Sequence, residues 1–398
     1  MKRLGELWGA HWRLWSSIAG CVAIVGFLLL YKLSTLVLGL SQTEQSTLAF
    51  SGSWHHWAHN PLYAPHAILQ WTLQAVTGHH GALVGRLPSV FFGSISVMLF
   101  AYILRRWYGV RTATFGTIMF ACSAWLLHSS RFAGPDVLYI WSVLMLLALH
   151  IAWERHKHQA LMPFVAALAC AAILYVPGML WILGASFILL PHHFSESWTT
   201  LSRWWQRALW IGAFLILMAP LLAAIVSEPG IGKTWLGLPA TFGNPGQVPH
   251  RLAESITFFV WRGPLRPDMW LDRLPLLNAF ATAMAVLGTL FYARHITAPR
   301  TRLLATFFIL GAIFFALGGP VPIDVLVPIV YIVISGGVGY LLHEWLHVFP
   351  RNPLARTTGY VLMSLIILLS CVYNLRTYFV AWPHNTATKA AFHKPPHE

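Results

Sequence analysis

SQTEQSTLAFSGSWHHWAHNPLYAPHAILQWTLQAVTGHHGALVGRLPS, residues 41–89, is the first long polar interruption in a chain that is otherwise mostly apolar. An apolar run near 16–38 precedes it and another near 87–104 follows it. Read as a loop between two membrane spans, it gives one fold; read as part of a soluble core, it gives another. Composition chooses the loop: 57% of the 398 residues are hydrophobic, only 10% are charged, and the mean hydropathy is +0.63. A soluble domain carries roughly 25% charged residues. In lipid the backbone must satisfy its own hydrogen bonds, so helices or closed barrels are the solutions, and a spanning helix needs about 20 mostly apolar residues.

Working outward from the loop, eleven uncharged apolar runs fall near 16–38, 87–104, 112–128, 137–153, 159–176, 178–191, 208–226, 275–293, 303–318, 322–342 and 358–376. The sequence therefore predicts an all-α polytopic membrane protein of about 11 transmembrane helices, one domain over 1–398. External loops are expected at 41–86 and 227–274, with a short external tail at 377–398. The sixth run is short, and Pro177 and Gly178 leave room only for a tight hairpin before it. Its inclusion is supported by charge: with the N-terminus inside, fifteen of the 26 basic residues but four of the 12 acids fall in cytoplasmic segments. That is the positive-inside bias. It predicts a multi-pass plasma-membrane protein with a cytoplasmic N-terminus and an extracytoplasmic C-terminus. The net charge of +14 is spread over alternate loops, a distribution that argues against a nucleic-acid partner. The first run is too long for a signal-peptide core and reads as a retained anchor. Cys21, Cys122, Cys170 and Cys371 all lie within runs and read as small apolar packers.

Inside the first loop, Pro65 suits a first helical position and Gly78 a helix end. Between them Ile68, Leu69, Leu73 and Val76 line one side and Gln70, Gln74 and Thr77 the other, which predicts a helix lying in the outer interface. The second external segment, 227–274, begins Gly- and Pro-rich and reads as a mobile lid. Its later part, AESITFFVWRGPLRPDMWLDRL, reads as a second interfacial helix carrying Arg262, Arg266, Asp268, Asp272 and Arg273. GIGK at 230–233 lacks the rest of a phosphate-binding P-loop.

Span centres are almost free of ionisable groups, whereas Glu44, Arg86, Arg131, Asp136, Arg262 and Asp324 gather at outer ends. An ion-coupled transporter needs carboxylates or broken helices near the midplane. Charge collected at one face fits an enzyme that takes a lipid-borne substrate at that interface, with membrane lipids as its surroundings. Each group also has a structural reading. Glu44 is a general base or a solvated loop acid. Asp136, after Pro135, binds an acceptor or metal, or favours the start of a helix. Arg86 and Arg131 suit a phosphate, or pair with Glu44 and Asp136. His55 and His59 share a helix face at a spacing that suits zinc or manganese, or are ordinary loop histidines.

The order of these features resembles the integral-membrane, lipid-dependent glycosyltransferases, the superfamily of the protein O-mannosyltransferases and the lipid A aminoarabinose transferases (glycosyltransferase family 39-like). The resemblance rests on an external loop opening with an acid, the NPLYAP turn, GRLPSVFFG, RRWYG and SRFAGPD, and is most specific over residues 40–155. It implies a sugar donor on polyprenyl phosphate and inverting transfer on the outer face to a lipid, glycan or protein acceptor. It also implies, in many members, a divalent metal such as Mg, Mn or Zn. On this reading Glu44 and Asp136 are catalytic, Arg86, Arg131, Arg262 and Arg266 hold the donor phosphate, and His55 and His59 are the candidate metal ligands. The family's paired acids, Asp then Glu, are Thr43 and Glu44 here, and its lysine before the interfacial helix is Asn60. Those departures leave open a non-catalytic relative that binds or flips lipid-linked glycans.

Overall fold

A computed structural model describes residue 20 and residues 23–37, 39–79, 81–156, 159, 161–190 and 204–393. The N-terminal basic segment, Cys21 and most of the connection 192–207 lie outside the described residues. The chain is a helical membrane protein. Among the described residues six helices are long and apolar enough to cross a bilayer: Ala82–Tyr108, Val137–His156, Trp204–Ser227, Pro299–Ala316, Ile323–Val348 and Pro353–His384. The pair Val110–Ala121 and Ala124–Arg131 makes a seventh if counted as one span.

The expected count of about 11 is not confirmed among the described residues, and the first run, 16–38, lies partly outside them. The runs at 159–176, 178–191 and 275–293 do form helices, but Leu161–Leu174, Met179–Leu189 and Ala279–Arg294 have 14, 11 and 16 residues. At 1.5 Å per residue they reach about 17–24 Å, short of the roughly 30 Å hydrocarbon core. The run at 112–128 is also not straight. Ser123 leaves helical geometry and its hydroxyl accepts the Leu126 N–H at 3.2 Å, capping a new helix bent 59° from the first.

Close packing relies on small residues, as expected where lipid supplies no hydrophobic drive between helices. Ala279–Arg294 lies against Val327–Val348 so tightly that a Cβ on Gly337 would sit 2.1 Å from the Met284 carbonyl oxygen, and one on Gly288 2.0 Å from that of Val333. Gly337→Ala is therefore expected to lower the thermal midpoint in detergent, at a cost of about 1–3 kcal/mol from overpacking. An unchanged midpoint would show that the two backbones do not touch.

The first loop folds as the sequence suggested near its middle. Asn60 Oδ1 accepts the Leu62 N–H, Tyr63 takes a left-handed conformation (φ 60°), and Ala64–Thr77 is helical up to Gly78. Its Gln side faces protein: Gln70 is buried and donates to the Gly85 carbonyl at 3.0 Å, while Ile68 and Val76 are exposed, a surface suited to lipid. The second external segment departs from expectation. Its amphipathic helix is Val248–Val260, and Arg262, Arg266, Asp268, Asp272 and Arg273 all follow it on irregular turns. Pro264 and Pro267 remove the N–H groups a continuing helix would need. The part read as a lid carries a short helix of its own, Pro229–Trp235. The tail is tied down as well: its strand β2, Phe392–His393, pairs antiparallel with β1, Leu40–Ser41, a two-residue ladder at the entrance to the first loop.

Candidate functional site

The first-loop acid sits at the start of helix Gln42–Ser51. Ser41 caps that helix and Glu44, at its third position, reaches back to the Ser41 N–H at 3.1 Å, a capping box. The same carboxylate is 0% exposed and takes three further donors: Arg86 Nε at 2.8 Å and Nη2 at 2.9 Å, and the Ala133 N–H at 2.9 Å. Four donors occupy its lone pairs. Arg86, also buried, spends two more donors on the carbonyls of Leu33 (2.7 Å) and Gly39 (3.3 Å). For Arg86 the structural alternative, pairing with Glu44, is the one realised, whereas Glu44 is a buried ion-pair acid and not the solvated loop acid its sequence context allowed. Glu44 has no free oxygen for an acceptor, and Arg86 has committed four of its five N–H donors.

Arg131 is used in a related way. Its Nη atoms donate to Leu28 and Tyr31 carbonyls, both at 2.6 Å, at the end of the helical run 23–30, and its guanidinium lies over the rings of Tyr378 (5.2 Å) and Phe379 (4.9 Å). Helix C-terminal carbonyls are unsatisfied and carry partial negative charge, so two arginines at the mouth of the first span stabilise its end. The sequence placed both arginines correctly at span mouths, but could not show that carbonyls 53 and 103 residues away would claim them.

The accessible acids lie beside this knot. Asp136, in the turn before Val137–His156, keeps a side chain 24% exposed, with Arg266 Nη1 at 3.8 Å. Arg266 reaches Asp268 through Nη2 at 3.6 Å, and Asp268 accepts from the Thr43 hydroxyl at 3.5 Å. A carboxylate from the second external segment thus stands against Thr43, where the resembling family carries an acid. Burial pushes the Asp136 carboxyl above its ordinary value; the Arg266 cation opposes that shift and the Asp268 charge adds to it. The folded chain then holds a proton at a pH where the unfolded chain has lost it, so this group's contribution to stability falls as pH rises through that interval.

Behind the acids, Asp324 is fully buried and accepts from Trp125 Nε1 at 3.0 Å and from the Ser129 hydroxyl. Asp268 and His128 are the residues sequence reasoning passed over. Asp268 lies on a turn after Val248–Val260 and not on the helix that the sequence predicts there, and His128 stands in AWLLHSSRFAGPD as a polar residue inside an apolar run.

Arg262 stays at the exposed rim. His55 and His59 do not assemble a metal site: both are exposed, and the His59 ring nitrogen Nδ1 bonds the His55 backbone carbonyl at 2.8 Å. Among the described residues no group of three or more His, Cys, Asp or Glu side chains is arranged to hold a metal ion. Asp136 and Asp268 share a cation already, so the residues present do not fit a divalent metal of the kind the resemblance implies. His66, from the same histidine-rich loop, has a structural task. It is buried on Ser89 Oγ at 3.0 Å, and Ser89 in turn donates to the Gly134 carbonyl at 3.0 Å, fixing the turn before Asp136. Burial pushes this imidazole from 6.5 down to about 3. The folded chain stays neutral there while the unfolded chain takes up a proton below 6.5, so stability is lost as pH falls from 6.5 toward 3. His66→Gln is expected to flatten the fall in melting temperature between pH 7 and pH 5; an equal slope in both proteins would contradict this.

A separate space lies away from these acids. A cavity of about 730 Å³ lies among Val137–His156, Leu161–Leu174, Met179–Leu189, Trp204–Ser227 and Pro299–Ala316, lined almost wholly by apolar side chains such as Leu149, Phe187 and Phe214. It meets the half of Val137–His156 remote from Asp136. Its lining carries no Asp, Glu, Lys or Arg side chain.

This arrangement defines a class. The helical bundle, with its first-loop helix, has the fold of ArnT and AglB, and the resemblance read from the first loop holds. Residues 60–223 match the dolichyl-phosphate-mannose-protein mannosyltransferase family, a stretch that includes Arg86, Arg131 and Asp136. ArnT from Cupriavidus metallidurans in the apo state is similar over 95% of this chain and 76% of its own, at 14% identity and a TM-score of 0.51. ArnT bound to undecaprenyl phosphate gives the same coverage and identity, with a TM-score of 0.50. The archaeal oligosaccharyltransferase AglB from Archaeoglobus fulgidus, in complex with an inhibitory peptide and a dolichol-phosphate, is similar over 96% of this chain at 13% identity and a TM-score of 0.51; this chain spans 56% of AglB. Curated protein sequences give no match.

Proposed function

We propose that the chain is a glycosyltransferase that moves a sugar from a polyprenyl-phosphate donor to a hydroxyl of a lipid, glycan or protein acceptor at the extracytoplasmic face. The observation that carries this is the Asp136–Arg266–Asp268 cluster, two partly open carboxylates astride one half-exposed guanidinium at the mouth of the bundle. Asp136 is the base. As the acceptor oxygen bonds the anomeric carbon, its proton passes to Asp136, and the bond from that carbon to the phosphate oxygen breaks with inversion. Polyprenyl phosphate leaves with the electron pair. Arg266 draws the phosphate toward the acids and Arg262 adds positive charge at the rim. Asp268 orients Arg266 and supplies the second negative charge that Thr43 lacks. Glu44 and Arg86 hold the first loop against Ala133, three residues ahead of Asp136.

The fully occupied Glu44 carboxylate is the observation that favours the second reading, a relative that binds or flips lipid-linked glycans without turnover. Reconstituted protein given a labelled glycosyl polyprenyl phosphate and a membrane extract as acceptor separates the two. Release of polyprenyl phosphate supports transfer; tight binding with the donor recovered intact rejects it.

A further inference from the structure

On the reading above, the donor's phosphate meets one guanidinium, Arg266, which already divides itself between Asp136 and Asp268. In the donor that phosphate is a diester with two free, strongly accepting oxygens and one negative charge, and a cation already shared between two carboxylates leaves those oxygens short of donors. Unspent donors lie next door. His128 and Arg131, 4% and 3% exposed, stand three residues apart on helix Ala124–Arg131 and both line a small cavity that also touches Asp268. His128 Nε2 and Arg131 Nε have no hydrogen-bond partner, although both are cut off from water.

Charge points the same way. Arg131 is a buried cation whose partners are two carbonyls, two rings and the Tyr378 hydroxyl, with no carboxylate among them. The acids that share the cavity are already matched, Glu44 by Arg86 and Asp268 by Arg266. A buried charge without a counter-charge is costly unless something supplies one, and a cavity beside it is where an anion belongs.

In this structure the cavity is closed. At about 10 Å³ it has room for one water, not for a phosphate. The tail makes its outer wall: Tyr378 and Trp382 meet the His128 ring edge-on at 4.5 and 4.6 Å, and Phe392 completes the rim. Besides the burial of Tyr378, Trp382 and Phe392, which continue the helix Pro353–His384 and the strand after it, a small set of polar bonds holds that wall in place. They are the two-residue ladder to Leu40–Ser41, Trp382 Nε1 on the Pro267 carbonyl at 3.1 Å and Asn385 Nδ2 on Asp272 at 3.0 Å. The segment also springs from a π-helical turn, Thr377–Ala381, a local geometry that often marks a functional position.

We infer that the chamber beneath residues 377–393 receives the phosphate of the polyprenyl donor, with His128 and Arg131 Nε as its buried ligands, and that the tail is a cover that lifts to admit it. The inference rests on the proposed donor, and one set of measurements tests the two apart. Undecaprenyl phosphate binding is measured on full-length protein in nanodiscs, alongside a His128→Gln variant and a doubly substituted Leu40→Cys, His393→Cys protein, whose cysteines replace a cross-strand pair. His128→Gln should weaken binding about tenfold, the loss expected for one hydrogen bond to a charged group. The oxidised double variant should lose binding, and reductant should restore it. Tight binding that neither change affects would overturn the chamber and leave the donor assignment standing. No binding by the unaltered protein would remove both. Displacement by an equal concentration of inorganic phosphate would show a site for a soluble anion and would also overturn the inference.

Discussion

Membranes carrying Asp136→Asn should release polyprenyl phosphate from a glycosyl donor about 10²- to 10⁴-fold more slowly than unaltered membranes, the usual contribution of a positioned general base. The substitution keeps shape and removes only the basic oxygen, so expression and melting temperature should hold. The pH profile carries independent information. Burial and the Asp268 charge raise the Asp136 carboxyl above its ordinary value, so the rate should climb with pH through that raised value as the base loses its proton. In the Asn variant that limb should vanish. Undiminished turnover in both Asp136→Asn and Asp136→Ala would end the case for Asp136 as the base.

Loss of the Glu44 carboxylate should be felt first in stability. In Glu44→Ala the Arg86 cation stays buried with no counter-charge, a situation that costs about 3–5 kcal/mol. A solvated loop acid would cost within about 0.5 kcal/mol. Thermal denaturation in detergent distinguishes the two. The double variant Glu44→Leu, Arg86→Met removes both charges and should recover much of the loss, because buried pairs are often replaceable by apolar residues of similar volume. If Glu44→Gln were as stable as the unaltered chain yet inactive in transfer, Glu44 and not Asp136 would be the base.

Part of this was open to reading in the chain itself. The NPLYAP turn, Pro65 and Gly78 announced the interfacial helix because proline and glycine restrict the backbone locally, and a local restriction survives any tertiary context. GRLPS and SRFAGPD pointed to Arg86, Arg131 and Asp136, which the fold places at helix ends and in the turn before Val137. Their partners were not legible. Glu44 and Arg86 are 42 residues apart, Trp125 and Asp324 199, and no periodicity connects them. Thr43 looked like a missing acid, and only the turn at Pro267 shows that Asp268 occupies the neighbourhood instead.

By itself the sequence determined that this chain lives in a bilayer as a helical bundle whose span centres are almost free of charge. Hydrocarbon penalises every unsatisfied backbone group and every exposed charge, so composition and run length suffice to say so. Tertiary structure alone decided which arginines are consumed by helix ends, where the third span breaks, and that the tail closes over His128. Those outcomes depend on which buried donor meets which acceptor across the bundle, and hydrogen bonding and ion pairing act over a few ångströms of space, whatever the separation along the chain.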